Sequence, residues 1–134
     1  MQLPTAGLLV IKNRKLLLAF SVNKQAFYLP GGKINSGETA VQALRREIKE
    51  ELSLELHEED LRYYTHITAP AFGENEGVVM EQECFFCKVD GSPVANAEIG
   101  ALDYFDCSEY HAQTQRAPGV VMVMQKLKED GMID

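Results

Sequence analysis

The chain has 134 residues, 46% apolar and 25% charged, which fits one globular domain with a core of its own and excludes a disordered polymer. Its formal charge of −7, from 20 acidic against 13 basic side chains, argues against a nucleic-acid polymer as partner, because that affinity comes from Lys and Arg neutralising phosphates. A small phosphorylated ligand stays open if a divalent cation supplies the missing positive charge.

The N-terminal stretch MQLPTAGLLVIKNRK has no basic residue ahead of its short apolar run, so no signal peptide is expected. No apolar stretch approaches the roughly 18 residues that span a bilayer, and a cytoplasmic protein without a membrane partner is expected. Residues 6–21, AGLLVIKNRKLLLAFS, read as two strands joined at Asn13 and Arg14, with charge confined to the turn. KQAFYLPGGKINSGE is a loop-rich bridge punctuated by Pro30, Gly31, Gly32 and Gly37. From about Thr39 to Leu52 the period becomes helical, with Val41, Leu44, Ile48 and Leu52 forming one apolar stripe. Thr39 with Gln42 forms a candidate capping box, with Asn35 and Ser36 as alternative caps.

Beyond that helix, LELHEEDLRYYTHIT returns to shorter apolar runs and APAFGENEG reads as an exposed loop. VVMEQECFFCKVDG is the strongest later strand, closing on a turn at Asp90 and Gly91. A loop and a strand around Leu102 to Phe105 follow. In PGVVMVMQKLKED, Pro118 marks a helix start ahead of Val120, Val121, Val123, Met124 and Leu127. Strands mixed with two helices predict one α/β or α+β domain. The three cysteines, Cys84, Cys87 and Cys107, are too few for a disulfide scaffold. CFFC has redox-motif spacing, but its apolar setting favours a half-buried strand carrying two small thiols. His57, His66 and His111 have no ligand spacing among them.

REIKEEL, residues 46–52, places Glu47, Glu50 and Glu51 at spacings of three and four, on one narrow helix face. Each like-charge pair at such spacing disfavours an isolated helix by about 0.2–0.5 kcal/mol. The acidic edge lies on a different side from the apolar stripe, so the helix can anchor while its carboxylates point elsewhere. Hard cations such as Mg²⁺ and Mn²⁺ take oxygen ligands, and Mg²⁺ commonly joins a few carboxylates to substrate phosphates. The plainer alternative is a solvated acidic face balanced by Arg45, Arg46 and Lys49.

The longer stretch GKINSGETAVQALRREIKEELSL, residues 32–54, resembles the Nudix box. That pattern is Gly, five residues, Glu, seven residues, Arg-Glu, an aliphatic residue, any residue, Glu-Glu, any residue, Gly and an aliphatic residue. Gly32, Glu38, Arg46, Glu47, Ile48, Glu50, Glu51 and Leu54 occupy the matching places. Ser53 stands where the final Gly is expected, which questions the helix exit because Gly favours a left-handed cap. FYLPGG just upstream, with Phe27 at a common aromatic position, is similar to the family's usual approach.

The resemblance implies a single Nudix hydrolase domain over residues 1–134, an α/β/α sandwich with a mixed central sheet. It implies hydrolysis of a diphosphate linkage in a nucleoside diphosphate derivative, by water attack at phosphorus with Mg²⁺ or Mn²⁺ as cofactor. Glu47, Glu50 and Glu51 match the family's metal ligands, and Glu47 is alternatively the base for the attacking water. Gly31 is in place to lend a backbone carbonyl to the metal. Arg46 and Glu38 match an ion pair that orients the acidic helix. A further carboxylate often comes from a later loop, and Glu98 is preferred over Glu74, Glu76, Glu81 and Glu83. Lys33 is a candidate phosphate contact, with an exposed loop lysine as the plainer reading. Phe72, Tyr104 and Phe105 are candidates for stacking on a base, against ordinary packing. Pro70, sixteen residues past Leu54, resembles a feature of the family's ADP-ribose pyrophosphatases, a narrower enzymatic reading. A non-catalytic nucleotide-binding or regulatory module competes with the hydrolase, and so does an isomerase acting on an isoprenoid diphosphate. Homodimers are common in the family, and no stretch here decides that point.

Overall fold

Asn13 and Arg14 both adopt left-handed backbone, φ 53° and 61°, and so close a two-residue turn between β2 (Ile11–Lys12) and β3 (Lys15–Ser21). Ile11 pairs Leu16 and Lys12 pairs Lys15, but there the hairpin ends. The preceding strand, β1 (Gln2–Leu9), belongs to a different sheet, and the chain changes sheets at Val10. The long hairpin expected from residues 6–21 is therefore corrected. Apolar runs read as adjacent strands, yet β1 is buried on both faces because it finds other neighbours.

The computed structural model describes residues 1–89 and 91–134. After β3 come β4 (Ala26–Tyr28), β5 (Gly31–Lys33) and the helix α1 (Ala40–Leu52). A single 3₁₀ turn at Glu58–Asp60 leads to β6 (Arg62–Pro70), β7 (Val79–Phe86) and β8 (Ile99–Phe105). The helices α2 (Cys107–His111) and α3 (Pro118–Glu129) complete the order. One sheet is mixed, in the order β5-β1-β7-β6, with β1 parallel to β7. The other is antiparallel and centres on β3, which pairs β2, β4 and β8.

Helix α1 covers one face through Leu44, Ile48 and Leu52, each fully buried against Ala6 and Leu8 of β1. Burying each such side chain contributes about 1.5–3 kcal/mol. The opposite core joins Ile67, Ala69 and Cys84 to Val120, Val123, Met124 and Leu127 of α3. The result is the expected α/β/α layering with a mixed sheet. Thr39 caps α1, its side chain accepting from Gln42 N at 3.1 Å while Gln42 Oε1 accepts from Thr39 N at 2.9 Å, so the capping box forms there. At the other end Ser53 takes the left-handed conformation, φ 54° and ψ 33°, that the family's glycine would adopt. Its N–H donates to Lys49 O at 3.2 Å, and Asn96 Nδ2 donates to its hydroxyl.

Cys84 and the position after β7, Cys87, fall on opposite faces, one in the core beside α3 and the other beside α1, so CFFC is not a redox pair. Burial pushes the Cys84 thiol up to about 12. The expected turn at Asp90 and Gly91 lies partly outside the described residues. Among the described residues no helix is long and apolar enough to cross a membrane.

Candidate active site

The short β5 runs antiparallel to β1, with Gly31 opposite Gly7 and Gly32 opposite Ala6. A Cβ on Gly31 would lie 2.1 Å from Ala6 O, and Gly31 has φ 137°, so only glycine fits this crossing. That close approach brings the Gly31 amide to Glu51, whose Oε1 accepts its hydrogen bond at 3.1 Å. Glu51 is 8% exposed although its neighbour Glu50 on α1 faces solvent. Burial pushes the Glu51 carboxyl up to about 8; the Gly31 hydrogen bond opposes this, and the charges of Glu47, Glu98 and Glu50 reinforce it. No ion pair reaches Glu51 among the described residues.

Arg46 does its work beside it. Its Nε and Nη2 donate to the two oxygens of Glu38 at 2.8 and 2.9 Å, Nη1 donates to Glu47 Oε1 at 2.8 Å, and Nη2 also reaches Lys33 O at 3.0 Å. The fork therefore ties the end of β5 and the loop before α1 to the helix. Arg46, then the amide of Asn35, hold the Glu38 carboxyl down at about 2. Gly32 lies under Glu47: a Cβ there would sit 2.6 Å from the Glu47 Cδ.

Gly31, Gly32, Lys33, Glu47, Glu51 and Glu98 line one cleft of about 340 Å³. Glu98 comes from the loop before β8 and accepts from Asn23 Nδ2 at 2.6 Å. Glu50 does not line the cleft; its carboxylate is 58% exposed and 3.9 Å from Arg46 Nη1. Lys33 stands at the mouth, 3.4 Å from Glu74 Oε1. Glu81 and Glu83 are occupied elsewhere, clamping the two ring nitrogens of His66 at 2.7 and 2.6 Å. Phe72 lines the cleft, whereas Phe105 is buried in the core and Tyr104 lines a separate depression. That second, more open hollow of about 1150 Å³ lies at the other end of β1, away from residues 47–51.

As placed, no three His, Cys, Asp or Glu side chains converge on one point among the described residues. The donor set nevertheless suits a hard cation. It is all oxygen, and it includes a buried carboxyl with no cationic partner. Sequence reasoning missed Ser21, Tyr28 and Gln82 in the cleft wall. Their places depend on strand register, and Gln82, between Glu81 and Glu83, carries no local signal that singles it out.

The family model described as the NUDIX domain matches residues 1–126. The chain belongs to the Nudix family. A curated relative, an RNA pyrophosphohydrolase of Marinomonas sp. (strain MWYL1), is 39% identical over 59 residues, a match covering 43% of this chain and 37% of that protein. The MutT NUDIX hydrolase structure from Burkholderia pseudomallei superposes with TM-score 0.74 at 18% identity, covering 94% of this chain and 97% of that one. A bifunctional NMN adenylyltransferase/ADP ribose pyrophosphatase from Francisella tularensis, complexed with AMP and Mn ion, superposes with TM-score 0.68 at 20% identity. That match covers 97% of this chain and 42% of the larger protein. The two structures establish a shared Nudix fold, and the family is one of hydrolases that generally use divalent metals.

Proposed function

We propose that this Nudix chain hydrolyses the diphosphate linkage of a nucleoside diphosphate derivative, with Mg²⁺ or Mn²⁺ held at the acidic end of the cleft. The observation that carries the proposal is Glu51, a buried carboxyl on the Gly31 amide, lining the same cleft as Glu47 and Glu98 and without an ion-pair partner among the described residues. Glu47, Glu51 and Glu98, with Glu50 at the rim and the Gly31 carbonyl, would hold the ion. When bound, it would neutralise phosphate charge and lower the pKa of coordinated water.

The remaining work belongs to the chain. Arg46 and Glu38 hold the Glu47 rotamer, and an oriented ligand loses less on binding than a free one. Glu47 is alternatively the base for the attacking water. Lys33 at the mouth can exchange Glu74 for a phosphate oxygen. Relatives named for RNA and for ADP ribose have in common a pyrophosphate linkage on a ribonucleotide, and that linkage defines the proposed substrate class.

A panel of nucleoside triphosphates, ADP-ribose, dinucleoside polyphosphates and nucleotide sugars, assayed with each metal, tests the proposal. Glu51→Gln should lower turnover of the best substrate by orders of magnitude with the fold intact. Nucleotide binding without any product, across several metals, would instead favour a regulatory module.

A further inference from the structure

The buried polar side chains among the described residues are Thr5, Ser21, Glu51 and Gln82, and all four line the same cleft. Three of them have partners. Thr5 Oγ1 donates to Glu81 O at 3.4 Å, Ser21 Oγ accepts from Lys24 N at 3.3 Å, and Glu51 accepts from Gly31 N. Gln82 is 8% exposed, and its carboxamide has no hydrogen-bond partner among the described residues. Sealed polar side-chain atoms in the described residues are all satisfied, so the remaining access of Gln82 is through the cleft it lines. Its donor and acceptor therefore face the cleft, where a ligand can take the place of water.

The surroundings preserve its position. Gln82 is in β7, an internal strand, in register with Thr5 of β1. Gly7 leaves the space its side chain fills: a Cβ there would lie 3.1 Å from both Gln82 Cδ and Nε2. The same cleft carries Tyr28 and Phe72 edge to face, their ring centroids 6.1 Å apart at 82°, with Tyr28 Oη donating to Phe72 O at 3.2 Å and Lys24 Nζ over the Tyr28 ring. The carboxylates occupy the Gly31–Gly32 end. The cleft thus combines an acidic end for a phosphate–metal unit, an aromatic face on Phe72 and a donor–acceptor pair open to the cleft.

We propose that Gln82 recognises the base of the substrate, pairing its carboxamide with a donor and an acceptor on the base edge while the ring lies against Phe72. This rests on the hydrolase reading and assigns one residue of this chain to the nucleobase of that substrate. A carboxamide offers both donor and acceptor, and stacking is tolerant of base identity. Gln82 therefore demands a base more strongly than it sorts one base from another.

The test uses the full chain. In Gln82→Met, a near-isosteric change without the amide, KM for the best base-bearing substrate of the panel should rise about tenfold with kcat within twofold. KM for the corresponding diphosphate lacking its base should not change between wild type and variant. Independently, AMP titrated into the ¹⁵N-labelled wild-type protein without metal should shift the side-chain amide resonances of Gln82. An active wild type with unchanged KM in the variant and no amide shift would overturn this inference alone. Absence of turnover on every compound would overturn the hydrolase proposal; the AMP titration would then decide this one, a Gln82 shift supporting it and none overturning it.

Discussion

Replacing Gly32 by alanine separates the site from the fold. The added methyl would lie 2.6 Å from Glu47 Cδ and 2.7 and 2.9 Å from its oxygens, where ordinary contact begins at 3.4 Å. The carboxylate must therefore retreat by roughly 0.5–0.8 Å, the shortfall set by those distances. Its retreat works against the 2.8 Å hydrogen bond from Arg46, itself anchored by Glu38. Gly32 is not in the left-handed region, so alanine adds no backbone strain there. Displacing a reacting group by about 1 Å can lower a rate by about 10²-fold. We expect kcat of Gly32→Ala to fall about 10- to 100-fold, by steady-state kinetics with Mg²⁺, and Tm to move by no more than about 2 °C. Gly31→Ala is the contrasting control, since its methyl meets backbone at 2.1 Å in a left-handed conformation and should destabilise the fold itself. Wild-type kcat/KM in Gly32→Ala would refute the claim that Glu47 must sit where it does.

Arg46→Lys keeps the charge but loses the fork across Glu38 and Glu47, and turnover should drop about 10- to 100-fold, measured beside an unchanged circular dichroism spectrum. Ser53→Gly relieves the left-handed cap and should raise stability by about 0.5–1 kcal/mol in urea titrations, because the hydroxyl contact it gives up is exposed. Without divalent cations, the Glu51 carboxyl titrates near 8 when folded against 4.5 as its reference value. Its raised folded pKa means that the Glu51 contribution to stability is complete below pH 4.5 and declines as pH rises to about 8. Glu51→Gln has no such titration, so its Tm advantage in EDTA should widen across that window and shrink when Mg²⁺ is added to both proteins.

Helix α1 was legible because its information is local. Thr39, Gln42 and the Val41–Leu44–Ile48–Leu52 stripe specify start, end and buried face within 14 residues. The same local code supplied Arg46, Glu38 and the acidic edge, although a helical pattern cannot say that Glu51 turns inward while Glu50 faces water. That difference comes from β5, whose two glycines let its amide approach α1. The pairing of β1 with β7, some 77 residues apart in the chain, is set by tertiary packing and left no local signal beside the deceptive turn at Asn13 and Arg14. Helix α2 escaped notice because five residues are too short to display a period; only its Asp106–Glu109 capping box marks it. Gln82 becomes notable only once register places it opposite Thr5 and over Gly7.

Anomalous diffraction from crystals grown with Mn²⁺ and a non-hydrolysable diphosphate compound addresses the central claim most directly. A peak within about 2.3 Å of a Glu51 oxygen, shared with Glu47 or with the compound's phosphates, is the predicted result. A cleft that holds the diphosphate while no manganese lies beside Glu51 would contradict it.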